Sequence, residues 1–343
     1  MLTLNPIEWL ALQRTSFSKP RLTWKKIKEG FFSKADLDLV QGKKDWELLQ
    51  KLGLQMTPFE SETYPKILKE IYDPPLVLLS KGKWPVWEEK PWVAVVGARK
   101  ATEFRRKKTQ EIVTRLVEEG FGIVSGLAYG IDAEAHRACL KAKGETWGVF
   151  GCGVDIVYPS SHRALAEEMT QHGGTLSEFP LGTGPRPAYF PQRNRIISGL
   201  VQAVVVVQAH LKSGSLITAR FALEQGRDVY VVPPPDNSLA YEGNKMLLDD
   251  GAIAWGGDVI EGPSQTVIAS PEGVKQSPSA TNGDCFADAR NDNLLVMLLQ
   301  RPQSVESLVH KTQKSPGALL AELVQLETEG LIKKIPGSLW QSL

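Results

Sequence analysis

The chain has 343 residues, of which 42% are hydrophobic and 23% charged, with a formal net charge of +1. This is the composition of a soluble globular protein of two to three domains with a sizeable core, and it excludes a bulk polycation, so any nucleic-acid contact has to come from a local patch. Three scattered cysteines (Cys139, Cys152 and Cys285) lack CxxC spacing and exclude a disulfide framework, which fits a reducing cytosol. No window approaches the roughly 20 apolar residues of a membrane span.

The opening MLTLNPIEWLALQRT has neither a basic n-region nor a long apolar h-region, so it is not read as a signal peptide. Residues 1–60 read as a helical accessory module. IEWLALQRT, WKKIKEGFF and DWELLQKLG each space apolar residues three to four apart, and Ser33 is placed to cap a helix over KADLDLV. A bridge follows, with a short helix, a Pro-Pro stop after Asp73 and an apolar strand at Leu76–Leu79. The core is expected over residues 61–261. Strands fall near 92–96, 121–125, 146–150, 175–178, 203–207 and 228–232. Helices fall near 102–119, 130–143, 160–172, 191–199 and 214–226.

Apolar strands that run into Gly- or Ser-rich loops and then into helices are βαβ units. The fold class expected is α/β, with a doubly wound, mostly parallel sheet whose ligand edge lies at the strand carboxyl ends. Residues 262–288 read as a flexible linker rich in Pro, Ser and Gly. Residues 289–343 read as three helices and a hairpin turning at Pro336-Gly337, a winged-helix-like domain. Its third helix carries Glu322, Glu327 and Glu329, which argues against a transcription regulator reading duplex DNA through this domain.

The ligand edge collects several sites. Gly97 closes the first core strand, and Arg99 and Lys100 follow at a helix start, where a guanidinium can fork onto a phosphate; Arg105, Arg106, Lys107 and Lys108 extend a basic stripe. The loop is not GxGxxG, and no acidic residue ends the next strand, so NAD binding is not expected; GxxxxGK[ST] is absent as well. Ser125 and Gly126 end the second strand and suit close backbone approach. Asp132 and His136, i and i+4 on the following helix, are either an acid–base pair or a helix-start carboxylate beside a hydrogen-bonded imidazole. Two ligands are too few for zinc. Cys152 sits where a helix N-terminus could lower a thiol pKa, or is small simply for packing. Arg163 is a second cationic contact. PAYFPQRNRIISGL offers Phe190, Arg193, Asn194 and Arg195 for base stacking and phosphate pairing, or else an aromatic staple with a paired Arg. Lys212, Ser213, Gly214 and Ser215 form an anion nest at another helix start.

YPKILKEIYDPP, VAVVGARKAT, GFGIVSGLAYGIDAEAH, VFGCGVDIVYP, GGTLSEFPLGT, FPQRNRIISGL, LKSGSLITARFALEQGRDVYVVP and GNKMLLDDGAIA stand in unbroken order over about residues 60–255. Together they resemble the DNA processing protein A family, also called Smf. The resemblance implies an extended Rossmann-like core behind an N-terminal module of sterile-alpha-motif or helix-hairpin-helix type. It also implies a cytoplasmic homodimer that binds single-stranded DNA (ssDNA) without sequence preference. Such a protein protects incoming DNA and loads the recombinase RecA during transformation and recombination, with no catalytic residue, metal or cofactor. On this resemblance Arg99, Arg163, Phe190, Arg193 and Arg195 line one ssDNA pocket, Arg186 stands in for a Lys or His that members often carry before Phe-Pro, and the dimer and RecA surfaces lie near Met246 to Leu248. The competing expectation is a lysine-decarboxylase-like Rossmann enzyme acting on small nucleotides. Such enzymes carry a PGGxGTxxE-type loop; LKSGSLITARFALE lacks its Gly-Gly-x-Gly-Thr core but does place Glu224 after the loop.

Overall fold

Parallel strands need both faces covered, and the first core strand already shows how this chain does it. In the computed structural model, β3 (Trp92–Gly97) sends Trp92, Ala94 and Val96 into one apolar cluster and Val93 and Val95 into another. The strand β7 (Ala203–Gln208) does the same: Val204 and Val206 point one way, Val205 and Val207 the other. This period of two explains why these runs are continuously apolar rather than alternating. The structure describes residues 4–17, 23, 26–27, 29, 31–257, 303–304, 308–309, 319, 323, 332–335 and 339–342. The chain divides into two compact units, 1–267 and 268–343.

The first unit is built on a nine-stranded sheet. Its remaining strands are β1 (Gln55–Pro58), β2 (Val77–Gly82), β4 (Gly122–Ser125), β5 (Thr146–Val149), β6 (Gly173–Ser177), β8 (Asp228–Val231) and β9 (Ile253–Ala254), in the order β1-β2-β6-β5-β4-β3-β7-β8-β9. The pairs from β6 to β9 are parallel, while β2 joins β6 and β1 joins β2 antiparallel. The chain winds outward from β3 to β6, then returns to lay β7 beside β3 and winds the other way. The reversal between β3 and β7 is a topological switch point, where a crevice opens at the strand carboxyl ends.

Helices α4 (Glu103–Glu118) and α5 (Ile131–Lys141) cover one face with Ile112, Val113, Leu116, Ala135 and Ala138. Helices α7 (Tyr189–Gly199) and α8 (Gly214–Glu224) cover the other with Ile196, Ile197, Ala219 and Ala222. The shorter α6 (Arg163–Met169) packs Leu165, Ala166 and Met169 around Phe150 and Cys152. The Thr102 hydroxyl caps α4 by accepting the Arg105 N–H at 3.3 Å, which sets where the loop after β3 ends. The helix α9 (Glu242–Asp249) closes the unit beyond β8; it exposes Met246, buries Leu247 and leaves Leu248 half-buried.

The N-terminal residues depart from the expected separate helical module. Helices α1 (Pro6–Ser16) and α2 (Leu39–Lys51) do form, but β1 joins the main sheet as its edge strand. Trp9, Leu10 and Leu12 share a core with Leu76, Val77, Leu79, Val154 and Leu181, and Arg14 donates to Asp45 and to the Leu181 carbonyl. The residues before 60 are therefore part of the first unit. Ser33 caps only a short 3-10 turn, Lys34–Asp36; the cap of α2 is Asp38, which accepts the Gln41 N–H at 2.9 Å.

Within the second unit, β11 (Ile332–Ile335) and β12 (Leu339–Ser342) form the antiparallel hairpin expected around Pro336-Gly337, and β10 (Gln303–Ser304) adds a third strand against β12. The linker expected at 262–288 lies outside the described residues, as do most of the three helices expected after it.

Candidate functional site

The loops after β3, β4, β5 and β6 and the first turns of α7 and α8 meet in one cavity of about 380 Å³ at the carboxyl edge of the sheet. Gly97, Arg99, Asp132, Tyr158, Phe190, Arg193, Asn194, Gly214 and Ser215 are among its lining residues. At its mouth the Arg99 guanidinium stands 5.7 Å from the centre of the Phe190 ring, and the Phe190 and Tyr158 rings lie 5.5 Å apart, tilted by 39°. Arg99 is exposed, and no carboxylate among the described residues pairs with it. A flat aromatic next to an unpaired guanidinium suits a base and its phosphate together. Tyr158 was not singled out from sequence; its signal is a tyrosine placed in the loop beyond the carboxyl end of β5.

The cavity floor is polar and fixed. Arg193 is buried and donates from Nη1 to the Gly126 carbonyl at 2.9 Å and to the Val149 carbonyl, and from Nε to Asn194 Oδ1 at 3.2 Å. Asp132 accepts the Gly126 N–H at 3.2 Å. A Cβ at Gly126 would lie 2.6 Å from Arg193 Nη2 and 2.7 Å from Asp132 Oδ2, so only glycine lets both side chains close over that turn. Burial lowers the Arg193 pKa to about 10, against the pull of Asp132. Burial raises the Asp132 pKa, opposed by Arg193 and by the amides of Ala128, Gly126 and Gly97. Arg193 thus ties together the ends of two strands, β4 and β5, and its positive charge sits beneath the cavity without being exposed on the surface.

Of the other expected residues, Gly214 and Ser215 line the cavity, with the Ser213 and Ser215 hydroxyls 2.7 Å apart and the Gly214 carbonyl accepting from Asn194 Nδ2 at 3.2 Å. Lys100, Arg163 and Lys212 are exposed near the same edge but outside the lining. Ser125 is fully buried and donates to the Val95 carbonyl at 2.7 Å, so it ties two strands together rather than facing a ligand. Arg195 turns away from the cavity: it makes a bidentate pair with Glu178, both contacts at 2.7 Å, and a third contact with Asp73 at 2.9 Å. Its charge is neutralised inside the protein, so it is not placed to meet a strand. Arg105 leaves the basic stripe for a similar reason, buried with Nη2 donating to the Pro233 carbonyl at 2.7 Å.

The alternative chemistries fare poorly in the geometry. Cys152 is buried, donates to the Ile156 carbonyl and has its thiol pKa pushed up to about 11 by burial, so it is no ready nucleophile. Glu224 lies at the far end of α8, away from the cavity, paired with Arg220 at 3.3 Å. No group of three or more His, Cys, Asp or Glu among the described residues could hold a metal ion. No helix among them is long and apolar enough to cross a membrane.

Asp132 and His136 do not form a pair. The Thr146 hydroxyl donates to the Ile123 carbonyl at 3.1 Å and therefore accepts from His136 Nδ1 at 2.7 Å, leaving Nε2 buried without a partner. Burial pushes the His136 pKa from 6.5 down to about 3. With the folded value depressed, the unfolded chain binds the extra proton, so this contribution to stability is complete above pH 6.5 and is lost as the pH falls towards 3. Lowering the pH to about 5 is expected to remove about 2 kcal/mol through this group. Urea midpoints for wild type and His136→Gln at several pH values check this. The wild type should show the steeper loss, and the difference between the two proteins cancels the opposite contribution of Asp132.

The family model for DNA recombination-mediator protein A matches residues 55–261, and that for the DprA winged helix domain matches residues 277–338. Protein Smf of Synechocystis sp. is 35% identical over 322 residues, covering 85% of this chain and 81% of its own length. DNA processing protein DprA of Bacillus subtilis is 46% identical over 209 residues, covering 61% of this chain and 70% of its own. The X-ray structure of DNA processing protein A from Streptococcus pneumoniae superposes with a TM-score of 0.64 at 30% identity, covering 74% of this chain and 95% of that one. A DNA processing protein A from Helicobacter pylori, whose structure concerns its single-stranded DNA binding mode, superposes with a TM-score of 0.53 at 31% identity, covering 58% and 90%.

Proposed function

The chain belongs to the DNA processing protein A (Smf) family, and we propose that its carboxyl-edge cavity binds single-stranded DNA without reading its sequence, as a mediator that performs no chemistry on the strand. The observation that carries this reading is the exposed Arg99, without a carboxylate partner among the described residues, beside the tilted rings of Phe190 and Tyr158, above a floor fixed by Arg193. Stacking tolerates any base and a guanidinium accepts any phosphate, so these groups favour affinity over sequence selection. The ssDNA binding mode in the name of the Helicobacter pylori relative supports the same reading. The family's description as a recombination mediator supports loading of RecA onto the bound strand; in this reading the protein acts as a cytoplasmic homodimer during DNA uptake. Lys100, Arg163 and Lys212 would serve as peripheral phosphate contacts.

Fluorescence anisotropy of labelled oligothymidylate and of mixed-sequence strands, titrated with the full chain over a range of salt, tests this. Similar affinities for both strands, little affinity for mononucleotides, and a linear fall of log K with log salt are expected. Absence of oligonucleotide binding, or release of base from a nucleoside monophosphate, would replace this reading with the small-nucleotide enzyme. Assembly of RecA filaments on the bound strand, with and without this protein, tests the loading step.

A further inference from the structure

Tyr129 lies outside the cavity, in the loop between β4 and α5, and is 50% exposed, yet its ring is held firmly in place. The ring meets His162 edge-on, with centroids 5.0 Å apart and planes at 69°, and its hydroxyl accepts from Ser161 Oγ at 3.2 Å. His162 is buried, with Nδ1 2.9 Å from the Leu127 carbonyl oxygen, so the loop after β4 and the segment before α6 are tied to each other. On its other side the loop is seated on the residues after β3. Gly130, at φ +77°, would place a Cβ 2.2 Å from the Ala98 carbonyl oxygen and 2.6 Å from that of Arg99, and the Ile131 N–H donates to the Ala98 carbonyl at 3.2 Å. Tyr129 is therefore next in sequence to a residue packed on the Arg99 backbone, and its ring rests on the residue preceding Arg163. Arg99 and Arg163 are both exposed, and neither has a carboxylate partner among the described residues.

We propose that Tyr129 is a second base-stacking station, so that a single strand leaving the Phe190–Tyr158 cavity passes Arg99, lays a base on Tyr129 and meets Arg163 with the next phosphate. The inference rests on the reading of the cavity as a single-stranded DNA site. A ring already fixed by an aromatic neighbour and a hydroxyl bond loses little freedom when a base covers it. Ser161, which bonds the Tyr129 hydroxyl, and Arg163, next in sequence to its ring partner His162, are exposed and polar, which suits a nucleotide strand better than the apolar surround of a protein hot spot. The tilted Tyr158–Phe190 pair stands beside Arg99, and the loop that carries Tyr129 is seated on the Arg99 backbone through Gly130, so stacking and phosphate groups come together along one edge.

The test compares wild type, Tyr129→Ala, Tyr129→Phe, Phe190→Ala and Arg99→Ala as full chains of verified thermal stability. They bind oligothymidylates of about 4 to about 16 nucleotides carrying 2-aminopurine at successive positions. Tyr129→Ala should bind the longer strands about tenfold more weakly and the shortest almost normally, and Tyr129→Phe should match wild type. One 2-aminopurine position should lose its quenching in Tyr129→Ala alone, and a different one in Phe190→Ala alone. Unchanged affinity of Tyr129→Ala for long strands, with Arg99→Ala still weakened, would overturn the second station and leave the cavity reading intact. An equal loss for short and long strands would also overturn it, because that outcome marks a distorted loop. Failure of wild type to bind any strand would remove the cavity reading and the station with it.

Discussion

Arg99→Ala is expected to weaken binding of an oligothymidylate by about 30- to 900-fold while leaving thermal stability unchanged. The guanidinium is exposed and has no carboxylate partner among the described residues, so its removal leaves no buried group unsatisfied. What is lost is a charge-assisted phosphate contact, worth about 1.5–3 kcal/mol, together with the cation–π support it gives Phe190, worth about 0.5–1 kcal/mol. Losing one phosphate contact should also reduce the slope of log K against log salt by about 0.7. Arg99→Lys separates the two effects: it keeps the charge and the salt slope but loses the planar fork and the ring contact, so its affinity should fall between wild type and alanine. An alanine variant with weaker binding but an unchanged slope would mean that Arg99 only positions Phe190. Full affinity in that variant would remove Arg99 from the site.

How much of this could be read beforehand depended on how local the signal was. The strands β3, β4 and β7 were legible because a parallel strand buried on both faces is apolar along its length, and they end in Gly97, Ser125 and Gln208, small or polar residues that mark the ligand edge. That edge then predicted the cavity, with Gly97, Arg99, Phe190, Arg193, Asn194, Gly214 and Ser215 among its lining. The strand β1 was not legible: Gln55–Pro58 is four residues long, ends in proline and gains its strand identity from pairing with β2. The same limit applies to cations. Arg193, Arg195 and Arg105 look like exposed phosphate ligands in sequence, because nothing local announces a distant partner. Arg195 finds Glu178 and Asp73, 17 and 122 residues away, and Arg105 finds a carbonyl 128 residues away. Tyr158 was missed as a cavity residue for the converse reason: it is one aromatic in a loop, and only the folded edge brings it beside Phe190, as it brings the proposed station Tyr129 onto His162.

Arg195→Ala is expected to destabilise the folded chain by about 3–5 kcal/mol, seen as a large drop in the urea midpoint. Glu178 and Arg195 each have side chains only 3% exposed, and removing the guanidinium leaves a buried carboxylate whose remaining side-chain donor among the described residues is Gln192 Nε2, at 3.2 Å. Burial alone already raises the Glu178 pKa. Without Arg195 it should rise further, so the variant would recover stability as the pH falls and lose it as the pH rises, because its folded state then holds the extra proton. The pair also anchors α7: Gln192 Nε2 reaches the Phe17 carbonyl at 2.6 Å, Gln13 Nε2 reaches the Glu178 carbonyl at 2.9 Å, and the ring of Phe179 lies 4.6 Å from that of Tyr189. These contacts bind the start of α7, which carries Phe190 and Arg193, to the N-terminal helix. The double variant Arg195→Met with Glu178→Leu removes both charges at once and should regain most of the stability, since apolar replacement of a buried pair is often neutral. Asp73, whose side chain is 30% exposed, can be hydrated in that background. Near-normal oligonucleotide affinity in the double variant would establish Arg195 as an anchor of the site helix. A loss as large as that of Arg99→Ala, in a protein of restored stability, would return Arg195 to the binding surface.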